Sequence, residues 1–313
     1  MTRILILGGT GFVGRHVCEK LARLQHPVTV ATRRLANARH LTTLPLLHTV
    51  ECDVHDEAAL TRLVTGHDAV VNLVAILHGT GAAFQRAHVE LPQKLARACA
   101  ATGVHRVVHV SALGAAPGAA SLYQRSKAAG EQALQAAGLQ LTVLRPSVIF
   151  GAEDQFLNLF ARLQRVFPVM PLAGAQARFQ PVWVEDVAQA VVHALQQPGT
   201  AGQVFEACGP DVFTLRELVQ LAGRHAGCAR PVLPLPMALG RLQALLMELA
   251  PGEPLMSRDN LAAMQTDNIA SGALPGLQAL GIAPAALEAV APLYLRPRGV
   301  NDGLDRYRRT AGR

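Results

Sequence analysis

A doubly wound parallel α/β sheet with a small C-terminal lobe is the fold class that this 313-residue chain predicts. Three observations carry it. Short apolar runs with β-branched members recur through the first 150 residues, and helix-period segments separate them. Each connection is long enough for a crossover helix, which parallel neighbours require. Three glycines, Gly8, Gly11 and Gly14, stand at the turn that leaves the first run.

Taken in order, ILIL (4–7) is a continuous apolar run and reads as a strand buried on both faces. A helix is expected from Gly11 to Leu24. VTVAT (28–32) is the second strand and HTVECD (48–53) the third, followed by the helix that contains AALTRLV. AVVNLVA (69–75) is the fourth strand. One long helix is expected from Phe84 to Ala101, then RVVHVSA (106–112) as the fifth strand. A helix over 121–137 leads into the sixth strand, within LTVLRPSVIFG (141–151). Residues 1–205 are expected to form this unit, with lobe insertions over 151–180. Residues 206–295 form the small lobe, and 296–313 a mobile basic tail.

Composition excludes more than it selects. Apolar residues make up 50% of the chain, so disorder along most of it is not expected. The net charge of +7 is supplied almost wholly by arginine, the lysines being Lys20, Lys94 and Lys127. That balance does not license nucleic-acid binding, and none is expected. Five scattered cysteines without CxxC read as buried thiols in a reducing compartment. No HExxH, Walker lysine or His/Cys cluster is present, so no metal is expected. The N-terminus runs directly into a strand pattern and no apolar stretch reaches membrane length, which reads as a cytoplasmic protein. The Arg-rich tail leaves open a peripheral contact with acidic lipid at an inner membrane surface, or with a protein partner.

The glycines acquire meaning from their place between strand and helix. Gly8 allows a tight turn, Gly11 lets backbone approach a pyrophosphate, and Gly14 lets helix and sheet pack closely. Thr10, Phe12 and Val13 share that mouth. The helix N-terminus offers unpaired N–H groups and a positive dipole end, so a dinucleotide is expected here. An NAD site wants a carboxylate after the second strand, but the sequence there is ATRR. Arg33 and Arg34 suit a 2′-phosphate, which points to NADP(H), with NAD(H) as the alternative. Asp53 and Val54, after the third strand, are candidates for the adenine end; Asp53 reads equally well as a helix cap.

SLYQRSKAAGEQAL places Tyr123 and Lys127 at i and i+4, on one helix face. A phenol is a weak acid–base group at neutral pH, and a neighbouring ammonium favours its ionised form. Such a pair can pass a proton to or from a carbonyl or alcohol. A packed tyrosine beside a surface lysine would read the same.

GxxGxxG at 8–14 and YxxxK at 123–127 resemble the short-chain dehydrogenase/reductase superfamily, in its extended and atypical members of the epimerase/dehydratase group. HVSALGA (109–115), LRPSVIFGAEDQFLNLF (144–160), FQPVWVEDVAQA (179–190) and GPDVFTLREL (209–218) are similar to the family of the nucleotide-binding accessory subunit of respiratory complex I and its bacterial relatives. The likeness covers the first 220 residues and fades beyond them. It implies a Rossmann fold and NAD(P) binding. It makes Tyr123 and Lys127 catalytic partners, with Lys127 also on the nicotinamide ribose, and Ser111 the holder of the substrate oxygen. It places Asn72, Leu73, Val74 and Ala75 along the cofactor, and Pro146, Ser147 and Val148 beside the nicotinamide, the last two offering backbone groups to its carboxamide. The pattern departs at Ala112 and Leu113, where extended members often carry hydroxyls. The complex I branch of the resemblance implies tight NADPH binding without turnover and a respiratory-complex partner.

Two functions are therefore expected to compete. One is hydride transfer to or from a small or lipophilic carbonyl or alcohol; the other is non-catalytic NADPH binding within an assembly. Nucleotide-sugar epimerisation is disfavoured, because only eleven small or apolar residues separate Ser111 from Tyr123. Phe150, Phe156, Phe160 and Phe167 are read as helix core before cleft lining, and Glu185 and Asp186 as caps of the helix that follows PVW. A short apolar helix is expected over 237–249.

Overall fold

The computed structural model describes residues 1–249 and 255–296. The basic tail expected from residue 296 lies, apart from Arg296, outside the described residues. Strands β1 (Ile4–Leu7), β2 (Val28–Thr32), β3 (Leu47–Glu51), β4 (Ala69–Asn72), β5 (Arg106–Val110) and β6 (Gln140–Pro146) lie where the apolar runs place them. Three short strands and a fourth follow in chain order: β7 (Ile149–Phe150), β8 (Met170–Ala173), β9 (Arg178–Phe179) and β10 (Val182–Trp183). A further strand, β11 (Val204–Ala207), completes the sheet and runs across the boundary expected at residue 205. The seven-stranded order is β11-β6-β5-β4-β1-β2-β3 with every pair parallel, so the strand order reverses between β1 and β4. Ligands of such sheets bind outside the carboxyl ends of the strands, at that reversal.

Strand pleating sends alternate residues to two cores. Ile4, Ile6, Val108 and Val110 pack with helices α1 (Phe12–Arg23) and, later in the chain, Val184–Gln196. Leu5, Leu7, Val107 and Val143 pack with α2 (Glu57–Val64) and the helical layer that follows β4. That layer departs from expectation. In place of one long helix it consists of α3 (Gly81–Phe84), a π-helical turn over Gln85–Glu90 and α4 (Leu91–Thr102). The fourth strand also stops at Asn72, three residues short of expectation, although Leu73 N–H still donates to the Leu7 carbonyl (2.9 Å). Helix α5 (Leu122–Gln135) completes this face.

The lobe is built from α6 (Leu157–Val166), four later helices, and three strand pairs: β7 with β10, β9 with β12 (Phe213–Thr214), and β8 with β13 (Val232–Leu235). Helix α7 is the Val184–Gln196 segment already named. The lobe helices are α8 (Leu215–His225), α9 (Met237–Leu249, as expected), α10 (Arg258–Ala263) and α11 (Leu287–Leu295). Phe150 is buried in the lobe's core with Phe156 and Phe160 packed against it, whereas Phe167 is 50% exposed and joins neither core nor cleft. Glu185 and Asp186 do not cap α7, whose N-cap is Trp183 and has no side-chain bond. Glu185 instead holds His16 (2.7 Å) and Lys20 (2.8 Å) of α1, and Asp186 accepts from Ala285 N–H (2.8 Å). His16, Glu19 and Glu185 bring ligand atoms within 4.8 Å of one another, but Lys20 neutralises Glu185 and the group serves to bridge α1 and α7.

Candidate active site

The turn after β1 is shaped by what a side chain would hit. Gly8 has φ +83°, and a Cβ there would lie 3.0 Å from the Leu73 backbone. A Cβ on Gly14 would lie 2.4 Å from the Gly8 carbonyl oxygen. Only glycine lets α1 begin this close to β1 and to the chain leaving β4. Gly11 is the N-cap of α1 and has no side-chain cap, so the first-turn N–H groups have no side-chain oxygen to meet. Thr10, Phe12 and Val13 are half-buried around this mouth, and Leu73 and Val74 form its opposite wall, with Ala75 exposed beyond them. This is the cradle an anion bridge needs, and a Cβ would fill it.

Arg33 and Arg34 follow β2 and are both exposed. Asp53 is exposed after β3; its carboxylate accepts from His55 N–H (3.0 Å) and lies 3.8 Å from Arg86. It does not cap α2. Asp56 does that, accepting from Ala59 N–H at 3.1 Å. Val54 is half-buried beside it. Pro146 is buried at the end of β6 and Val148 half-buried after it. Of the backbone groups expected to meet a carboxamide, Ser147 N–H donates to the Ala207 carbonyl (3.0 Å), and the Val148 carbonyl accepts from Val182 N–H (2.9 Å). The Ser147 hydroxyl bonds Asn268 Oδ1 at 2.6 Å.

Helix α5 carries Tyr123 and Lys127 over the same strand ends. Lys127 is 1% exposed, and its ammonium donates to the Val110 carbonyl at 2.8 Å. Burial pulls its pKa down to about 8, against an opposing pull from Glu131. Tyr123 stands one turn earlier, where burial pushes the phenol up to about 12. In the chain alone, the phenol thus shifts with burial, opposite to the direction that Lys127 was expected to give it. Ser111, just past β5, has a buried hydroxyl without a partner among the described residues.

A polar layer beneath α5 was not legible as a site. His109 of β5 lies opposite Asn72 of β4. Asn72 Oδ1 accepts from Val74 N–H (3.2 Å), so its amide nitrogen donates to His109 Nδ1 (3.2 Å). His109 therefore carries its proton on Nε2, which has no partner among the described residues. Burial holds its pKa well down, with Lys127 and His88 adding to the effect. Arg145 grips Glu131 through two bonds, Nε to Oε1 at 3.0 Å and Nη2 to Oε2 at 2.5 Å. Orphaned polar atoms at His109 and Ser111 cost stability, on the order of 1–3 kcal/mol each. Such costs gather where a ligand supplies the missing partner. The signal that could have found this layer is the period-2 placement of Asn72, His109 and Arg145 among apolar neighbours on one sheet face.

With the geometry in place, comparison with known proteins decides the family. Residues 4–208 match the model of the NAD dependent epimerase/dehydratase family. The chain belongs to that family. It is also 32% identical over 290 residues to the mitochondrial NADH dehydrogenase [ubiquinone] 1 alpha subcomplex subunit 9 of Mus musculus, over 90% of this chain and 77% of that one. A ceramide reductase of Caulobacter vibrioides is 29% identical over 235 residues, 74% of this chain and 73% of that one. Among solved structures, a UDP-glucose 4-epimerase of Thermus thermophilus in complex with NAD superposes with a TM-score of 0.70 at 21% identity, covering 94% of this chain and 97% of that one. The resemblance to the complex I subunit and the Rossmann-like fold expected from sequence both hold. No helix of the described residues is long and apolar enough to cross a membrane.

Proposed function

We propose that this family member is an NADP(H)-dependent oxidoreductase acting on a small or lipophilic carbonyl or alcohol. The observation that carries the reading is convergence. The glycine cradle at the start of α1, the Tyr123–Lys127 face of α5 and the unpartnered Ser111 hydroxyl all lie at the carboxyl ends of β1, β4 and β5. The N-terminus of α1 with Gly8, Gly11 and Gly14 would hold the pyrophosphate, Arg33 and Arg34 a 2′-phosphate, and Leu73 to Ala75 the face of the dinucleotide. When bound, the nicotinamide accepts or supplies the hydride. Ser111 would orient the substrate oxygen and Tyr123 would exchange its proton. Lys127, held near pKa 8 and fixed on Val110, would bring positive charge against the phenol once a substrate oxygen shares that charge.

A second reading is favoured by the 32% identity to the complex I subunit. In it the chain binds NADPH without turnover and docks onto a respiratory-complex-like partner. One set of measurements separates the two. Bound nucleotide is released from purified protein and identified, NADPH and NADH are titrated, and carbonyl substrates are screened with wild type and Y123F. Oxidoreductase function predicts NADPH preference, about tenfold weaker NADPH binding in R33A/R34A, and turnover lost in Y123F. NADPH binding with no turnover of any carbonyl, by either protein, selects the second reading. No affinity for either coenzyme defeats both.

A further inference from the structure

His88 is the one histidine of the π-helical turn, and everything around it is built to admit it. A π turn re-aims side chains relative to a regular helix and is often kept for function. Gly130, on the facing side of α5, leaves room for the turn: a Cβ there would lie 2.0 Å from the His88 carbonyl oxygen. The His88 side chain is 2% exposed. Its Nε2 accepts from Ile76 N–H at 3.0 Å, in the chain just beyond the wall formed by Leu73 and Val74. Nε2 therefore carries no proton in the neutral ring, and Nδ1 donates to Ser126 Oγ at 2.8 Å. Ser126 Oγ in turn donates to the Tyr123 carbonyl at 2.8 Å. The imidazole stacks on Phe84 (5.5 Å, 23°) and meets the Tyr123 ring edge to face (5.4 Å, 83°). Burial, and then the charge of Lys127, keep this ring neutral.

We propose that His88 is a positioning residue, a neutral tie between the chain leaving β4 and helix α5 that fixes the spacing between the expected cofactor wall and the Tyr123–Lys127 pair. The inference rests on the oxidoreductase reading for its purpose, though the tie itself is a property of the chain. One ring makes four contacts at once: an acceptor for the Ile76 N–H just beyond the wall, a donor for the helix, a stacked face for Phe84 and an edge-to-face contact with the phenol. Glutamine can restore the acceptor that reaches Ile76 but not the ring, and phenylalanine keeps the ring without either hydrogen bond.

The test has two arms on the full chain. In the first, long-range ¹H–¹⁵N correlation of ¹⁵N-histidine protein at pH 7 reads the tautomer, with the His88 signal identified by its loss in H88Q. A proton on Nδ1 and none on Nε2 is expected; an Nε2–H tautomer or an imidazolium overturns the tie. In the second, NADPH is titrated into wild type, H88F and H88Q, each checked for cooperative melting. H88F is expected to bind at least tenfold more weakly and H88Q within threefold of wild type. Wild-type affinity in H88F would make the ring mere core filling and overturn the inference. Should H88F fail to fold, the tautomer arm still decides. Failure of wild type to bind either coenzyme would strike the functional reading, and the tautomer measurement would still test the tie separately.

Discussion

The glycine turn after β1 and the polar face beneath α5 sit side by side at the same strand ends, yet they are specified in different ways. The turn is a matter of backbone sterics within seven residues, Gly8 to Gly14, where each glycine answers to a contact with its own neighbourhood or with the adjacent strand end. The α5 face draws on five separate stretches of chain. Asn72 orients His109, the π turn supplies His88, β6 supplies Arg145 for Glu131, and α10 reaches over to the helix's first turn. Damage to the turn should therefore act through sterics and be severe and local. Damage to the face should be graded and show coupling between distant residues.

The largest expected effect lies in the turn. Gly14→Val would set a Cβ 2.4 Å from the Gly8 oxygen and add two methyl groups beyond it. Overpacking against backbone, which has no rotamer to yield, should cost about 3 kcal/mol or more. Thermal melting should show the loss, and coenzyme binding should vanish. A variant that melts like wild type would mean the turn tolerates a second arrangement, and the contrast between the two regions would fail.

Next comes Glu131→Gln on the α5 face. Glu131 is 2% exposed and accepts both bonds from Arg145, which it holds above the ordinary arginine pKa. Breaking one side of a buried pair leaves the other charge uncompensated, typically a loss of about 3 kcal/mol. Glu206, on the strand beside Arg145, would absorb part of the orphaned charge, so the measured loss should sit below that figure. Chemical denaturation of the variant, and of the double variant with Arg145→Met, tests this. The pair is a coupled unit only if the double variant is more stable than the sum of the two single losses predicts.

These two predictions mark where sequence reading succeeds. The glycine turn, the six strands through Pro146 and the i, i+4 placement of Tyr123 and Lys127 are local patterns, set by periodicity and by backbone conformations that few residues adopt. β11 escaped notice because VFEA is four residues long and carries a buried glutamate; its strand identity comes from pairing with β6. The break at Gln85–Glu90 was invisible for a like reason. Nothing in QRAHVE opposes a regular helix; the π turn depends on the room that Gly130 leaves for it, far along the chain, and on the bond from Ile76 N–H. Glu185 and Asp186 stand where caps stand, but longer-range partners claim them. The effect of burial on Tyr123 could not be read from spacing, since it depends on what covers the ring.

A smaller effect is set by pH. His88 is neutral in the fold, with its pKa lowered to about 3 from the ordinary 6.5 by burial and then by Lys127; His109 moves in the same direction under burial, Lys127 and His88. Between those values the unfolded chain binds protons that the folded chain refuses, so stability is full above pH 6.5 and declines as pH falls. Each such histidine contributes a slope of up to about 1.4 kcal/mol per pH unit. Measured from pH 6.5 to 5, above the range in which most carboxylates titrate, H88F should lose stability less steeply than wild type by about one histidine's share. Equal slopes would show that His88 takes up a proton as readily in the fold as in the unfolded chain; a protonated Nε2 cannot accept from Ile76 N–H, so that result would overturn the neutral tie.

The smallest effect should come from the lobe's hold on α5. Asp259, in the first turn of α10, accepts from Leu122 N–H (2.6 Å), Tyr123 N–H (3.1 Å) and the Ser121 hydroxyl (2.7 Å). Ser121 is itself the N-cap of α5 and accepts from Gln124 N–H at 3.3 Å, so Asp259 serves as a second cap contributed from 138 residues away in sequence. Its negative charge also suits the positive end of the helix. Asp259→Ala frees two N–H groups that water can reach, and Ser121 keeps its own capping bond, so the loss should be about 1 kcal/mol, as for an ordinary cap. The informative measurement is hydrogen exchange at Leu122 and Tyr123 against exchange within α10. If the lobe and α5 open together, both segments exchange faster in the variant by the same factor. If only α5 frays, the two factors differ, and the lobe is merely a lid resting on a helix that keeps its own end.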